Sequence, residues 1–399
     1  MHSKKLVFTA ACLGMLLFGI VFLSLGSVNN MLSERFGLSN RDIGTLAALL
    51  PLGILIGSLV FGPVVDRFGY RWMLVGASLL VGLAFEGLAF AADERLVQIF
   101  IFLIGLGGGV LNGATNALVA DVSEGERGAK LSLLGVFFGI GALTMPSTIA
   151  LLSQRFALAS IVAGIGTLVL IPVMYCLIIT FPPPKQRSDK LLTLRGLTLL
   201  GDPIFFFAGL AMAIQSGMEG MSNDWMTRYF KSVTLANQQS AEWKTQLGLV
   251  AVTGAMVVTR LALSGVLKRV SPTLVLFGSI AITVCGAVTL MNATNYGAAL
   301  VAALLIGAGL AAAFPIVLGI IGDCYPEQSG TAFSTLFVLA LIGNMAINKT
   351  FGYVAQIHGI EQYAQMMLVL LACSAGLLLL VVRQQRANNR VSSEDDSGR

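Results

Sequence analysis

Twelve apolar runs, each long enough to cross a bilayer as a helix, recur along the 399 residues with only short polar connections between them. A hydrocarbon core needs about 20 mostly apolar residues per crossing, so this pattern limits the chain to one architecture, a polytopic helical membrane protein. The runs fall at 6–30, 42–65, 72–92, 97–120, 130–153 and 157–181, then at 202–229, 245–267, 271–291, 297–322, 328–353 and 363–384. Composition agrees: 56% of residues are apolar and 11% charged, against roughly 25% charged in soluble domains. A cytosolic enzyme, a secreted disulfide scaffold, a disordered regulator and a nucleic-acid reader are all excluded. Outer-membrane barrels alternate apolar and polar residues in short strands, which these uninterrupted runs do not.

Phe181-Pro-Pro-Pro-Lys-Gln-Arg-Ser-Asp-Lys190 cannot continue a membrane helix, because three prolines and a charge cluster break it. It divides the chain into a six-helix bundle over 1–181, a linker over 182–200, a second six-helix bundle over 201–385 and a polar tail over 386–399, expected to be disordered. Lys4 and Lys5 before Leu6–Ser27 have the look of a signal peptide. The apolar stretch is too long for one and has no small-residue cleavage site, so it reads as a retained first span. Basic residues set the orientation. With the N-terminus inside, sixteen Lys and Arg fall in inner loops and tails and seven in outer loops. Both termini are therefore expected in the cytoplasm of an inner-membrane protein. The five cysteines lack metal-type spacing and read as small packing residues.

A shift of 202 positions superimposes Ile104-Gly105-x-Gly107 on Ile306-Gly307-x-Gly309, and with no gap it also matches Arg67 to Arg269, Asp121 to Asp323 and Gly128 to Gly330. The chain reads as two parallel repeats, the construction of many alternating-access carriers.

Between the second and third runs stands Gly62-Pro-Val-Val-Asp66-Arg67-Phe-Gly69-Tyr-Arg71. It resembles the G-x-x-x-D-R-x-G-x-R loop of the major facilitator superfamily, with a partial echo in Arg260-x4-Gly265-x2-Lys268-Arg269. That resemblance covers essentially the whole chain. It implies an all-α fold of twelve transmembrane helices in two bundles. It also implies a gating role for the loop, with Asp66, Arg67 and Arg71 closing the cytoplasmic side against Asp121 and Arg127. Without those partners the same residues are solvated charges that contribute little, about 0–1 kcal/mol per pair.

Gln215, Glu219 and Asn223 recur at i, i+4 and i+8, one stripe on the seventh helix. A charge in mid-membrane costs roughly 2.5–3.5 kcal/mol on insertion scales, so Glu219 is a functional candidate by default. Burial penalises a charged carboxylate, which makes it a candidate proton carrier. A structural glutamate bonded across helices is the alternative. Gly217-Met-Glu219-x5-Trp225-x3-Tyr229 is similar to the seventh helix of the fucose–galactose–glucose/proton symporters. That likeness implies a helix broken near Gly217 and Gly220, with Trp225 against a sugar face or in the interfacial belt. Asn112 and Asn116 on the fourth helix are candidate hydroxyl-binding amides or interhelical glue. Asn112 departs from the branch, which has a glutamate there, so either coupling falls to Glu219 or Glu86 or the protein is uncoupled. Asn344 and Asn348 share a face of the eleventh helix. Phe314-Pro315 implies a kink. Arg260 reads as part of the gate echo; no arginine falls near mid-membrane, which argues against an anionic substrate.

These readings converge on a secondary transporter rather than an enzyme. It is expected to move a small polar solute, a sugar or polyol, by alternating access coupled to protons, acting as a monomer in lipid without cofactor, metal or nucleic acid. The alternative is a proton-driven efflux carrier for amphipathic or cationic compounds.

Overall fold

The computed structural model describes residues 3–122, 127–182, 198–236, 241–325 and 329–397; the side chains of Asp66 and Arg127, both expected in the gate, lie outside the described residues. Among the described residues twelve helices are long and apolar enough to cross a membrane. They are α1 (Lys4–Phe36), α2 (Asn40–Phe61), α3 (Arg67–Ala89), α4 (Glu94–Val122), α5 (Leu133–Leu152), α6 (Leu158–Ile178), α7 (Pro203–Thr234), α8 (Glu242–Leu263), α9 (Pro272–Met291), α10 (Tyr296–Cys324), α11 (Thr331–His358) and α12 (Gln362–Gln385). Helical backbone continues past α12 to Ser397, so the tail extends the last helix where the sequence reading expected disorder.

Local chemistry sets the helix ends. Ser39 and Asp42 cap α2 reciprocally: Ser39 Oγ accepts from Asp42 N at 3.3 Å, and Ser39 N donates to Asp42 Oδ2 at 2.9 Å. Ser271 and Asn295 cap α9 and α10. Near the start of α3 the backbone leaves helical geometry at Gly69, at φ 77° and ψ 167°. That region is open essentially to glycine alone, which explains the glycine at this place in the loop.

The repeat is physical. Gly105 of α4 lies against the Leu50 carbonyl of α2, and Gly307 of α10 lies against the Val252 carbonyl of α8. Gly107 would place a Cβ 3.0 Å from the Ala77 carbonyl, and Gly309 2.7 Å from the Ser279 carbonyl. Each partner pair is separated by the same 202 positions as the glycines themselves. Small residues let these backbones touch, the usual source of helix association in lipid.

The two halves meet through α1 and α2 against α7 and α11, and through α5 against α8. Every hydrogen bond joining described residues of the two halves lies at the end of the bundle away from the termini. Asn29 Nδ2 donates to the Asp224 carbonyl (2.7 Å), Thr227 Oγ1 to the Gly26 carbonyl (2.6 Å), and Gln246 Nε2 to the Ser27 carbonyl (2.7 Å). Arg228 donates to Asn40 Oδ1 at 2.8 Å and Asn29 Oδ1 at 3.3 Å, and also bonds Ser33. Lys231 pairs with Glu34 and Lys349 bonds Thr45. Gly44 and Gly352 touch backbone to backbone where α2 crosses α11, and Gly26 abuts the Asn223 carbonyl. This end is closed. It also explains why α1 runs on to Phe36, beyond the end expected near residue 30: Asn29 and Asn30 are buried and spend their amides on the other half.

Candidate functional site

Proline 315 lacks a backbone N–H and its ring collides with the carbonyl four residues earlier, which is that of Ala311. The helix of α10 is accordingly interrupted at Ala311 and Ala312. Carbonyls released by such a break need new partners. Gln215 Nε2 donates to the Leu310 carbonyl at 2.8 Å, and Arg260 Nε to the Ala311 carbonyl at 3.4 Å. The same two side chains hold Glu219: Gln215 Nε2 lies 3.1 Å from Oε1, and Arg260 Nη2 lies 2.8 and 2.9 Å from the two carboxylate oxygens. The Glu219 side chain is 10% exposed and that of Arg260 31%. The kink, the amide, the carboxylate and the guanidinium therefore form one unit shared by α7, α8 and α10.

This corrects two expectations. Arg260 belongs to the centre of the second half, not to a gate echo, so an arginine is present where none was expected. Glu219, weighed as a proton carrier or as a glutamate bonded across helices, has a fixed cationic partner that neither reading named. A third correction concerns α7, which is unbroken at Gly217 and Gly220. Those glycines instead leave room for Ile347 and Asn344 of α11.

Asn344 Nδ2 donates to the Ser216 carbonyl at 3.0 Å, and Asn344 Oδ1 accepts from Asn348 Nδ2 at 2.9 Å. Asn348 Oδ1 in turn accepts from Trp225 Nε1 at 3.0 Å. Trp225 is fully buried and meets Phe351 edge to face at 4.9 Å. Its indole is enclosed by protein and faces neither cavity nor lipid.

Asn223 and Asn344 line a small cavity where the halves meet, with Gly220, Asp224 and Leu341 beside them and Phe22, Leu50, Pro51 and Ile54 opposite. Asp224 was missed in the sequence reading. It lies off the four-residue stripe of Gln215 and Glu219, yet an aspartate inside an apolar run was signal enough.

The first half contributes less to this centre. Asn116 Nδ2 donates to Asn112 Oδ1 at 3.0 Å and to the Asn112 carbonyl at 2.9 Å, so these half-buried amides bond each other along α4. Glu86 of α3 accepts from Thr167 Oγ1 of α6 at 2.9 Å, and Thr167 is exposed, so Glu86 sits on the flank of the bundle away from the cavity. At the loop, Asp121 Oδ2 accepts from Tyr70 OH at 2.8 Å. Arg71 bonds the Leu177 carbonyl at the end of α6, and Arg67 is exposed over the Phe68 ring at 5.4 Å.

The family model of the Major Facilitator Superfamily matches residues 8–348. The chain belongs to the major facilitator superfamily. Members of this superfamily are transporters, not enzymes, and the chain is a multi-pass membrane protein. It is similar to the 4-hydroxybenzoate transporter PcaK of Pseudomonas putida, 35% identical over 31% of this chain and 29% of that one. It is also similar to the glucose/mannose transporter GlcP of Bacillus subtilis, 29% identical over 32% of each chain. Each of these alignments spans about a third or less of the relative's length. The superfamily fold is further matched by the crystal structure of a D-xylose–proton symporter, with a TM-score of 0.77 at 17% identity over 93% of this chain and 97% of that one.

Proposed function

We propose that this chain carries a neutral, hydroxyl-rich solute, a sugar or polyol, across a cell membrane by alternating access, driven by protons, with both termini in the cytoplasm. One observation carries the reading: the charges at the centre cancel. Glu219 and Arg260 neutralise each other with the Gln215 amide beside them, and the cavity between the halves is lined by the amides of Asn223 and Asn344 with one carboxyl, Asp224, too enclosed to admit an organic cation. A neutral solute that donates and accepts hydrogen bonds suits such a lining, whereas a cation would compete with Arg260 for the same carboxylate. The efflux of cationic compounds is weakened on that ground. The names of the glucose/mannose relative and the xylose symporter point the same way.

A second reading draws on the part-exposed Arg260 guanidinium. An organic carboxylate could take the place of Glu219 on it, and the 4-hydroxybenzoate relative makes that class worth an arm of the test. The experiment is counterflow in proteoliposomes with glucose, xylose, ribitol, uridine and 4-hydroxybenzoate. Exchange of a sugar or polyol with none of 4-hydroxybenzoate supports the first reading, and the reverse supports the second. Uphill uptake that ignores an imposed pH gradient would remove the proton from either.

A further inference from the structure

Asp224 contributes its backbone to the closed far end but not its side chain. The backbone carbonyl accepts from Asn29 Nδ2 at 2.7 Å. Its carboxylate has no hydrogen-bond or ion-pair partner among the described residues, on a residue 4% exposed. It reaches the cavity lined by Phe22, Ile54 and Leu341, where the free space is about 10 Å³, the room of about one water molecule.

The residues of α1, α2 and α11 that line this cavity are not titratable. Charged groups on the neighbouring helices are committed elsewhere. Arg228, one turn further along α7, is held by Asn29, Asn40 and Ser33, and Glu219 by Arg260 of α8. Lys231 pairs with Glu34 of α1, Lys349 of α11 bonds Thr45 of α2, and the Tyr363 hydroxyl of α12 bonds Ser222. An ionised carboxylate without a partner in such surroundings is strongly disfavoured. An organic cation would compensate it but does not fit the space. A proton needs none.

We infer that Asp224 is a proton-binding site whose occupancy is tied to closure of the far end. The carboxyl is protonated while the halves are joined there. When they part, water enters, takes the proton, and Arg228, released from Asn29 and Asn40, stands four residues away as the partner of the carboxylate. The closed state thus binds one proton more than the open state, and raising pH favours opening. This inference deepens the carrier reading and rests on it.

The test measures distances between spin labels at Asp93→Cys and Thr294→Cys on the far end. The full chain, with its five native cysteines replaced, is held in lipid nanodiscs across a pH series. The open-to-closed ratio of the otherwise unaltered chain should rise with pH, by at most about tenfold per unit for one proton. Asp224→Asn and Asp224→Ser should stay closed at every pH, while Glu86→Gln, on the flank of the bundle, keeps the response. A protonated-carboxyl infrared band, present at low pH and lost in Asp224→Asn, checks the site independently. An unchanged pH response in the Asp224 variants, or its loss in Glu86→Gln, overturns the assignment and leaves alternating access standing. A chain that never opens at either end, at any pH, overturns both.

Discussion

A single nitrogen of Arg260, Nη2, bonds both carboxylate oxygens of Glu219 and so ties α8 to α7 beside the break in α10. Removing one partner of a buried pair leaves the other uncompensated, at a cost of about 3–5 kcal/mol. With Arg260 31% exposed, Glu219→Gln and Arg260→Gln should each fall at the lower end of that range. The double variant should recover most of the loss. Thermal melting of the purified protein checks this, and additive losses would mean that the pair is not coupled.

Closure of the far end depends on Gly26. A Cβ there would strike the Asn223 carbonyl, whereas one at Gly76 meets open space. Gly26→Ala should therefore raise labelling of Ser27→Cys by an impermeant maleimide by about tenfold or more, a shift of about 1.4 kcal/mol in the open–closed balance. Gly76→Ala should leave labelling unchanged.

At Gly69, with φ 77° and ψ 167°, any side chain is strained. Gly69→Ala should destabilise the protein by about 1–3 kcal/mol, read as a lowered melting temperature. No loss at all would mean that the turn relaxes without the glycine.

The repeat makes a paired prediction. Gly105 and Gly307 face equivalent carbonyls, Leu50 and Val252, so Gly105→Ala and Gly307→Ala should lower the melting temperature by similar amounts. A large loss at one site alone would show that the second contact is incidental.

Trp225 gives its indole N–H to Asn348 and its ring to Phe351. Trp225→Phe should cost about 1–3 kcal/mol through the orphaned amide oxygen, with solute affinity in the counterflow assay unaltered. A fall in affinity with stability preserved would instead give Trp225 a place at the solute.

The twelve spans and the doubled construction were legible because both are written locally, in apolar length and in small residues at a constant offset. What the sequence reading missed are the properties of helix rotation. Arg260 meets Glu219 only because α7 and α8 turn those faces together at a carbonyl bared by Pro315, and spacing along one helix carries no trace of that. Asn29, Asn30 and Arg228 read as span ends or loop charges because their partners stand about two hundred residues away. The glycines at 217 and 220 are ambiguous by nature: the same absence of a side chain that weakens a helix also admits a neighbour, and here Ile347 and Asn344 fill the space.

The crossing of α2 and α11 at Gly44 and Gly352 has bare backbone on both sides. A fulcrum of that kind has no rotamers to reshuffle and no interlocking knobs to lift past one another. Under the proposed alternating access the lobes would roll there with little friction, the barrier to their motion would reside in the polar clasps around the crossing, and loosening those clasps should quicken the swing without unseating the axle.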